Sequence, residues 1–153
     1  MEIKDSYELP LSKGKVWAAL NDEEFLKKSI PWCEKLERLS ETELAAEVKL
    51  KIGPMSTRFT GSITLSEIDP PNGYTITGSG KGGIAGGASG SAKVKLLENE
   101  DSSSTTLSYE VSAQVKGKIA QLGSRLIQST AKKLSKNFFG SFVKLNETTK
   151  EIF

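Results

Sequence analysis

From Leu44 to Ile52 the apolar residues Leu44, Ala46, Val48, Leu50 and Ile52 alternate with Ala45, Glu47, Lys49 and Lys51. A period of two predicts a strand with one face in water. Gly53-Pro54 marks a turn, and Phe59, Gly61, Ile63 and Leu65 then repeat the alternation. The run Asp69-Pro70-Pro71-Asn72-Gly73 is the strongest turn signal in the chain. Beyond it Tyr74, Ile76, Gly78 and Gly80 share one face of a third strand. Ala88, Gly90, Ala92, Val94 and Leu96 share one face of a fourth. A polar loop, Glu98 to Ser104, precedes a fifth strand carrying Leu107, Tyr109, Val111, Ala113 and Val115. Successive strands joined by short turns predict an antiparallel meander.

The two ends follow other rules. Ile3, Tyr7 and Leu9 suit a first strand ended by Pro10. Ser12 and Asp22 are positioned to cap two short helices, the first carrying Val16, Trp17 and Leu20, the second Phe25 and Leu26. Pro31 closes the second helix, and Leu36 to Leu39 are expected to rejoin the sheet. After Gly117 the apolar spacing becomes three or four: Ile119, Leu122, Gly123, Leu126, Ile127, Thr130, Ala131, Leu134, Phe138, Phe142 and Leu145. This predicts one long amphipathic helix, with Lys118, Arg125, Lys132, Lys133 and Lys136 on its solvated face and a bend at Gly140. It is the only element long enough to cover the apolar face of a curved sheet, so the fold class is α+β.

Composition narrows the function. The 153 residues fit one domain, expected over 1–146 with a short tail at 147–153. With 21 basic and 19 acidic residues, spread along the chain, nothing argues for nucleic acid. The lone Cys33 rules out an internal disulfide, and the absence of histidine removes the commonest general base and metal ligand. No apolar run is long enough for a membrane span, and the amino terminus does not read as a signal peptide, so a cytoplasmic location is expected.

Several local words recur in family order: VWAALND (Val16–Asp22), IPWC (Ile30–Cys33), IGPM (Ile52–Met55), FTGSITL (Phe59–Leu65), IDPP (Ile68–Pro71), GSG (Gly78–Gly80) and GKIAQLGSRLI (Gly117–Ile127). Together they resemble the CoxG family of carbon monoxide dehydrogenase subunits, within the START-like (SRPBCC) superfamily. The resemblance implies a helix-grip fold, with a curved antiparallel sheet wrapped around a long C-terminal helix and two short helices after the first strand. It implies association with a molybdenum-containing dehydrogenase and a link to the membrane, here a peripheral contact at its inner face. Superfamily members commonly hold an apolar ligand between sheet and helix. Longer family members carry a C-terminal extension that this chain is expected to lack. The family usually has glycine where this chain has Trp32.

Gly78 to Gly83 spells G-x-G-x-x-G, yet a strand rather than a helix follows it, so the phosphate-cradling reading fails on context. The alternation instead predicts a hairpin turning within Lys81 to Gly87, with glycines facing inward on both arms. Small inner residues either admit the helix closely or leave a void, and the sheet has more of them than one helix crossing needs. The expectation is an apolar pocket lined by Phe59, Ile63, Tyr74, Ile76, Gly78, Gly90, Ala92, Val94, Tyr109 and Val111 from the sheet. Leu122, Leu126, Leu134 and Phe138 would line it from the helix, and Trp32 and Met55 would rim its mouth or meet a membrane. Leucine at Gly78 or Gly90 should fill it. No charged residue has inward parity between Leu44 and Val115, and Cys33 has no histidine partner, so no catalytic residue and no metal site is assigned. Tyr74 and Tyr109 each offer one hydroxyl, otherwise expected to reach water. The leading function is binding of a quinone or fatty-acid-like molecule. An adaptor that recruits the dehydrogenase to the membrane, and a START-like enzyme, stay open as alternatives.

Overall fold

The computed structural model describes the backbone of residues 1–152 and the side chains of residues 1–146. The chain runs β1 (Glu2–Leu9), α1 (Lys13–Leu20), α2 (Glu23–Ser29) and β2 (Cys33–Arg38). It continues through β3 (Glu43–Ile52), β4 (Met55–Asp69), β5 (Gly73–Lys81), β6 (Gly87–Glu98), β7 (Thr105–Lys116) and α3 (Ser124–Ile152). The seven strands form one sheet in the order β1-β7-β6-β5-β4-β3-β2, every neighbouring pair antiparallel. The sheet is curved, with register irregularities in β4 between Ser66 and Asp69 and in β2 between Cys33 and Lys35. Such bulges bend a strand and increase its twist. α1 and α2 close one end, and α3 lies in the concave face: this is the helix-grip arrangement.

The expected caps behave differently. Asp22 accepts from the backbone N–H groups of Glu24 and Phe25 and so starts α2. Ser12 occupies the corresponding position before α1, but its hydroxyl makes no capping bond. The long helix also begins later than its periodicity implies. Gly117–Leu122 forms a 3₁₀ segment, and Gly123, at φ 92°, breaks the chain before α3. A spacing of three suits both helix types, so Ile119 and Leu122 alone do not separate them. α3 passes Gly140 without interruption. Its backbone continues to Ile152, so the last turns of the helix overlap the expected tail; Phe153 lies outside the described residues.

The interior packs in two separate clusters. The larger joins β1, α1, the β3–β7 strands and the C-terminal half of α3 through Leu9, Val16, Leu20, Leu65, Tyr74, Leu96, Leu107, Tyr109, Phe139 and Phe142. The smaller, at the far end, holds Ile52, Phe59 and Ile119, with Leu50, Met55, Val115, Leu122 and Leu126 against them. Phe139, which the helical stripe did not include, stacks on Tyr7 at 4.4 Å between ring centroids. Phe142 is fully buried and meets Phe25 edge-on at 5.2 Å. Phe142→Ala is expected to cost about 3–5 kcal/mol through lost contacts and the cavity left behind. A urea titration would show this as a fall in midpoint with an unchanged slope.

Candidate functional site

Between the two clusters lies a band of the sheet with few side chains. In register across it run Ile76, Ala92 and Val111; then Ile63, Gly78, Gly90 and Ala113; then Gly61, Gly80, Ala88 and Val115. All of these face α3, and all are only half-buried, whereas Tyr74, Val94 and Tyr109 in the adjoining row are buried. The middle of α3 matches: Leu126, Thr130, Ala131, Leu134 and Phe138 are half-buried too. A close-packed pair of layers would bury the Ile76 and Gly78 rows deeply, because they lie inside the sheet, whereas Gly80, Ala88 and Val115 are one residue from the ends of their strands. Their residual accessibility leaves this part of the inner face only partly covered by α3.

The glycines explain how. A Cβ built on Gly78 would meet only the Ser62 carbonyl oxygen at 3.4 Å and Ile63 Cγ1 at 3.9 Å, so no atom of the helix approaches it. Gly123 likewise has nothing within 4 Å and serves no close approach. Gly90 differs. Its Cβ would lie 2.5 Å from the Ser112 carbonyl oxygen and 2.9 Å from Ala113 Cα. Glycine there answers to the β7 backbone, and a leucine would disturb strand pairing rather than simply fill space. This corrects the expectation that Gly78 and Gly90 are equivalent.

The expected lining therefore divides. Ile63, Ile76, Val111 and Phe138 are half-buried and pack against the larger core, and Gly78, Gly90, Ala92 and Leu134 are half-buried positions of the band. Tyr74, Val94 and Tyr109 belong to the larger core beside it. Phe59, Leu122 and Leu126 belong to the smaller one, which forms the opposite end wall. Burial pushes the Tyr74 phenol up to about 12, against the pull of Arg38. The Tyr109 hydroxyl does not reach water: it is buried and without a hydrogen-bond partner among the described residues. Parity places a side chain on a face but says nothing of where its hydroxyl ends. Asp5 is exposed and bonded to the backbone N–H of Ser6. Cys33 is half-buried, its thiol donating to the Lys35 carbonyl at 3.3 Å and raised in pKa by burial, as a structural thiol would be. Among the described residues no group of acidic, cysteine or histidine side chains converges to hold a metal.

Met55 packs against the smaller core, so it does not stand exposed beside Trp32, which is 48% exposed in the loop between α2 and β2. Open troughs of about 520 Å³ and 490 Å³ lie on the convex side of the sheet, walled by Lys4, Lys93, Lys95 and Glu110 or by Ser62, Thr77, Ser79 and Ser91. Their hydrophilic walls do not suit an apolar ligand. Among the described residues no helix is long and apolar enough to cross a membrane.

The family profile of CoxG, a subunit of carbon monoxide dehydrogenase, matches residues 6–144. The chain belongs to the CoxG family. Among solved structures it is similar to a conserved protein from Geobacillus kaustophilus, with 29% identity, 97% of each chain covered and a TM-score of 0.90. It shares the fold of the ZhuI aromatase/cyclase from Streptomyces sp. R1128, at 13% identity over 96% of this chain and 93% of that one, TM-score 0.70. A START superfamily protein from Mycobacterium smegmatis aligns at 15% identity over 94% and 98%, TM-score 0.69. A search of curated proteins gave no significant match.

In this CoxG-family chain the Trp32 backbone sits at φ 57°, the left-handed region that favours glycine. The loop keeps that conformation because the Trp32 carbonyl accepts from Lys49 N–H at 3.0 Å and Cys33 N–H reaches the Ile30 carbonyl at 3.3 Å. Trp32→Gly is expected to raise stability by about 1 kcal/mol, since a left-handed non-glycine residue costs about 1–2 kcal/mol. Thermal melting would show a gain of a few degrees; a fall in melting temperature would mean that the indole contributes more than the strain removes.

Proposed function

We propose that this CoxG-family chain is a non-catalytic binder of one apolar molecule, a quinone or a fatty-acid-like lipid, held between the sheet and α3. In this reading it works as an accessory to a molybdenum-containing, carbon monoxide dehydrogenase-type enzyme. The observation that carries the reading is the half-buried band between two fully packed cores. Apolar surface left accessible in an interior gains about 25 cal/mol per Å² when a ligand covers it. Inner positions from Leu44 to Val115 carry no charged side chain, which favours binding over acid–base chemistry. A quinone fits the partner's need to pass electrons onward and the apolar lining; a fatty-acid-like lipid fits the lining alone.

Titration with decylubiquinone and with palmitic acid, followed by tryptophan fluorescence, tests this. Saturable binding of at least one is expected, and Gly78→Leu should weaken it by about tenfold or more, because the added side chain enters open space. The variant should melt close to wild type. Absence of saturable binding by either probe would overturn the reading, as would unchanged affinity in Gly78→Leu.

A further inference from the structure

Charged residues of both signs are interleaved along the chain, and the meander sorts them by end. The turn between β3 and β4, the hairpin between β5 and β6, and the link from β7 to α3 lie at one end of the sheet. Six cations sit there: Lys49 and Lys51 on β3, Lys81 closing β5, Lys116 closing β7, Lys118 beyond it and Arg125 in the first turn of α3. All six are exposed, and among the described residues none is in an ion pair. No acidic residue occurs in 48–66, 70–97 or 111–146. Glu34 on β2 and Glu47 on β3 are both held by Arg58, at 3.0 and 3.3 Å. The three connections are locked together. Thr57 Oγ1 donates to the Gly82 carbonyl at 3.1 Å, and a Cβ on Gly117 would lie 2.7 Å from Gly86 Cα. At the tip of the hairpin Ile84 is 86% exposed, more than any other large apolar side chain described. Its neighbours Gly82, Gly83, Gly86 and Gly87 offer it nothing to pack on. The exposed Trp32 belongs to the same end, its carbonyl accepting from Lys49 N–H. Exposed apolar residues at the opposite end sit among carboxylates instead: Ile68 lies between Glu67 and Asp69, and Leu97 precedes Glu98.

We propose that this end of the molecule docks on an anionic lipid bilayer, with Ile84 entering the headgroup layer and the six cations meeting lipid phosphates. The inference goes beyond the binding reading and does not depend on a bound molecule. Each lysine or arginine held near an anionic leaflet adds attraction. The apolar part of the face decides between a bilayer and a protein. A stable protein partner needs a packed patch of about 800 Å² a side. Here one side chain protrudes from a narrow turn, a shape that a fluid interface encloses and a flat protein surface does not. The carboxylates of Glu67, Asp69, Glu98, Glu100 and Asp101 lie at the far end, so the surface field turns the chain tip-first before contact.

Co-sedimentation of the full chain with vesicles of phosphatidylcholine, with and without about one third phosphatidylglycerol, tests the face. The chain should bind the anionic vesicles and not the neutral ones, with affinity falling about tenfold or more as salt rises from about 0.05 to about 0.5 M. Lys81→Glu combined with Lys118→Glu should weaken binding by about tenfold or more. Lys15→Glu combined with Lys95→Glu makes the same change in net charge at the opposite end, where Lys13 of α1 bonds to Asn72 and Lys95 faces Gly73, and should leave most of the affinity. Ile84→Ser should weaken binding by about tenfold, through the apolar contact it removes. All five side chains are exposed, so each variant should melt close to wild type. No binding of the wild type to anionic vesicles at low salt would overturn the proposal. So would equal losses from the two charge-reversed pairs, which would assign the effect to net charge, or full affinity in Ile84→Ser. Retention on heparin that matches the vesicle affinity and ignores Ile84→Ser would assign the cations to a polyanion and overturn the bilayer.

Discussion

The stacking of Phe139 on Tyr7 and the edge-on contact of Phe142 with Phe25 fix the C-terminal half of α3 against β1 and α2. At the other end the helix is seated by Leu126, which joins the Ile52, Phe59 and Ile119 cluster. Gly123, in a conformation open to few residues but glycine, lets the chain turn from the 3₁₀ segment into α3 there. A helix is stiff, so anchoring two separated stretches sets its height along the whole span between them. Between these anchors Ala131 and Phe138 pack against the larger core while staying only half-buried.

The sheet completes the same geometry from below. A strand presents a side chain inward at every second residue, and where those positions are Gly61, Gly78, Gly80 and Gly90 the inner surface is bare backbone. Glycine weakens a strand, and the hydrogen-bonded ladders to both neighbours are what keep this stretch extended. The stretch that spells a nucleotide fingerprint is thus bare inner sheet, and under the proposed function it forms the floor of the ligand's space. Charges stay on the outer face and edges, where pairs such as Lys4–Glu110 at 3.0 Å are largely solvated.

Much of this was legible in the sequence because alternation is a local signal. The faces of β3 to β7, the hairpin between Lys81 and Gly87, and the Asp22 cap followed from neighbouring residues. What escaped depended on partners distant in the chain. Gly90 and Gly78 look alike in sequence, but only the former is pressed by the β7 backbone. Phe139 lies one position beyond the stripe through Phe138 and Phe142, and it is buried because β1 approaches that flank of the helix through Tyr7. Ser12 has the residue type of a cap and lacks the bond, since a cap needs geometry as well as a hydroxyl. The Trp32 backbone is another such case: its residue type argues against a left-handed conformation, and the bonds from Lys49 N–H to its carbonyl and from Cys33 N–H to Ile30 hold the loop there.

Xenon diffraction measures the central claim most directly, because xenon enters apolar cavities and leaves packed cores empty. In a crystal of the ligand-free chain under xenon pressure, anomalous peaks are predicted between Gly78 and Gly90 on the sheet and Leu134 and Phe138 on α3. A map with no xenon in that band, and with sheet and helix side chains in contact across it, would contradict the account.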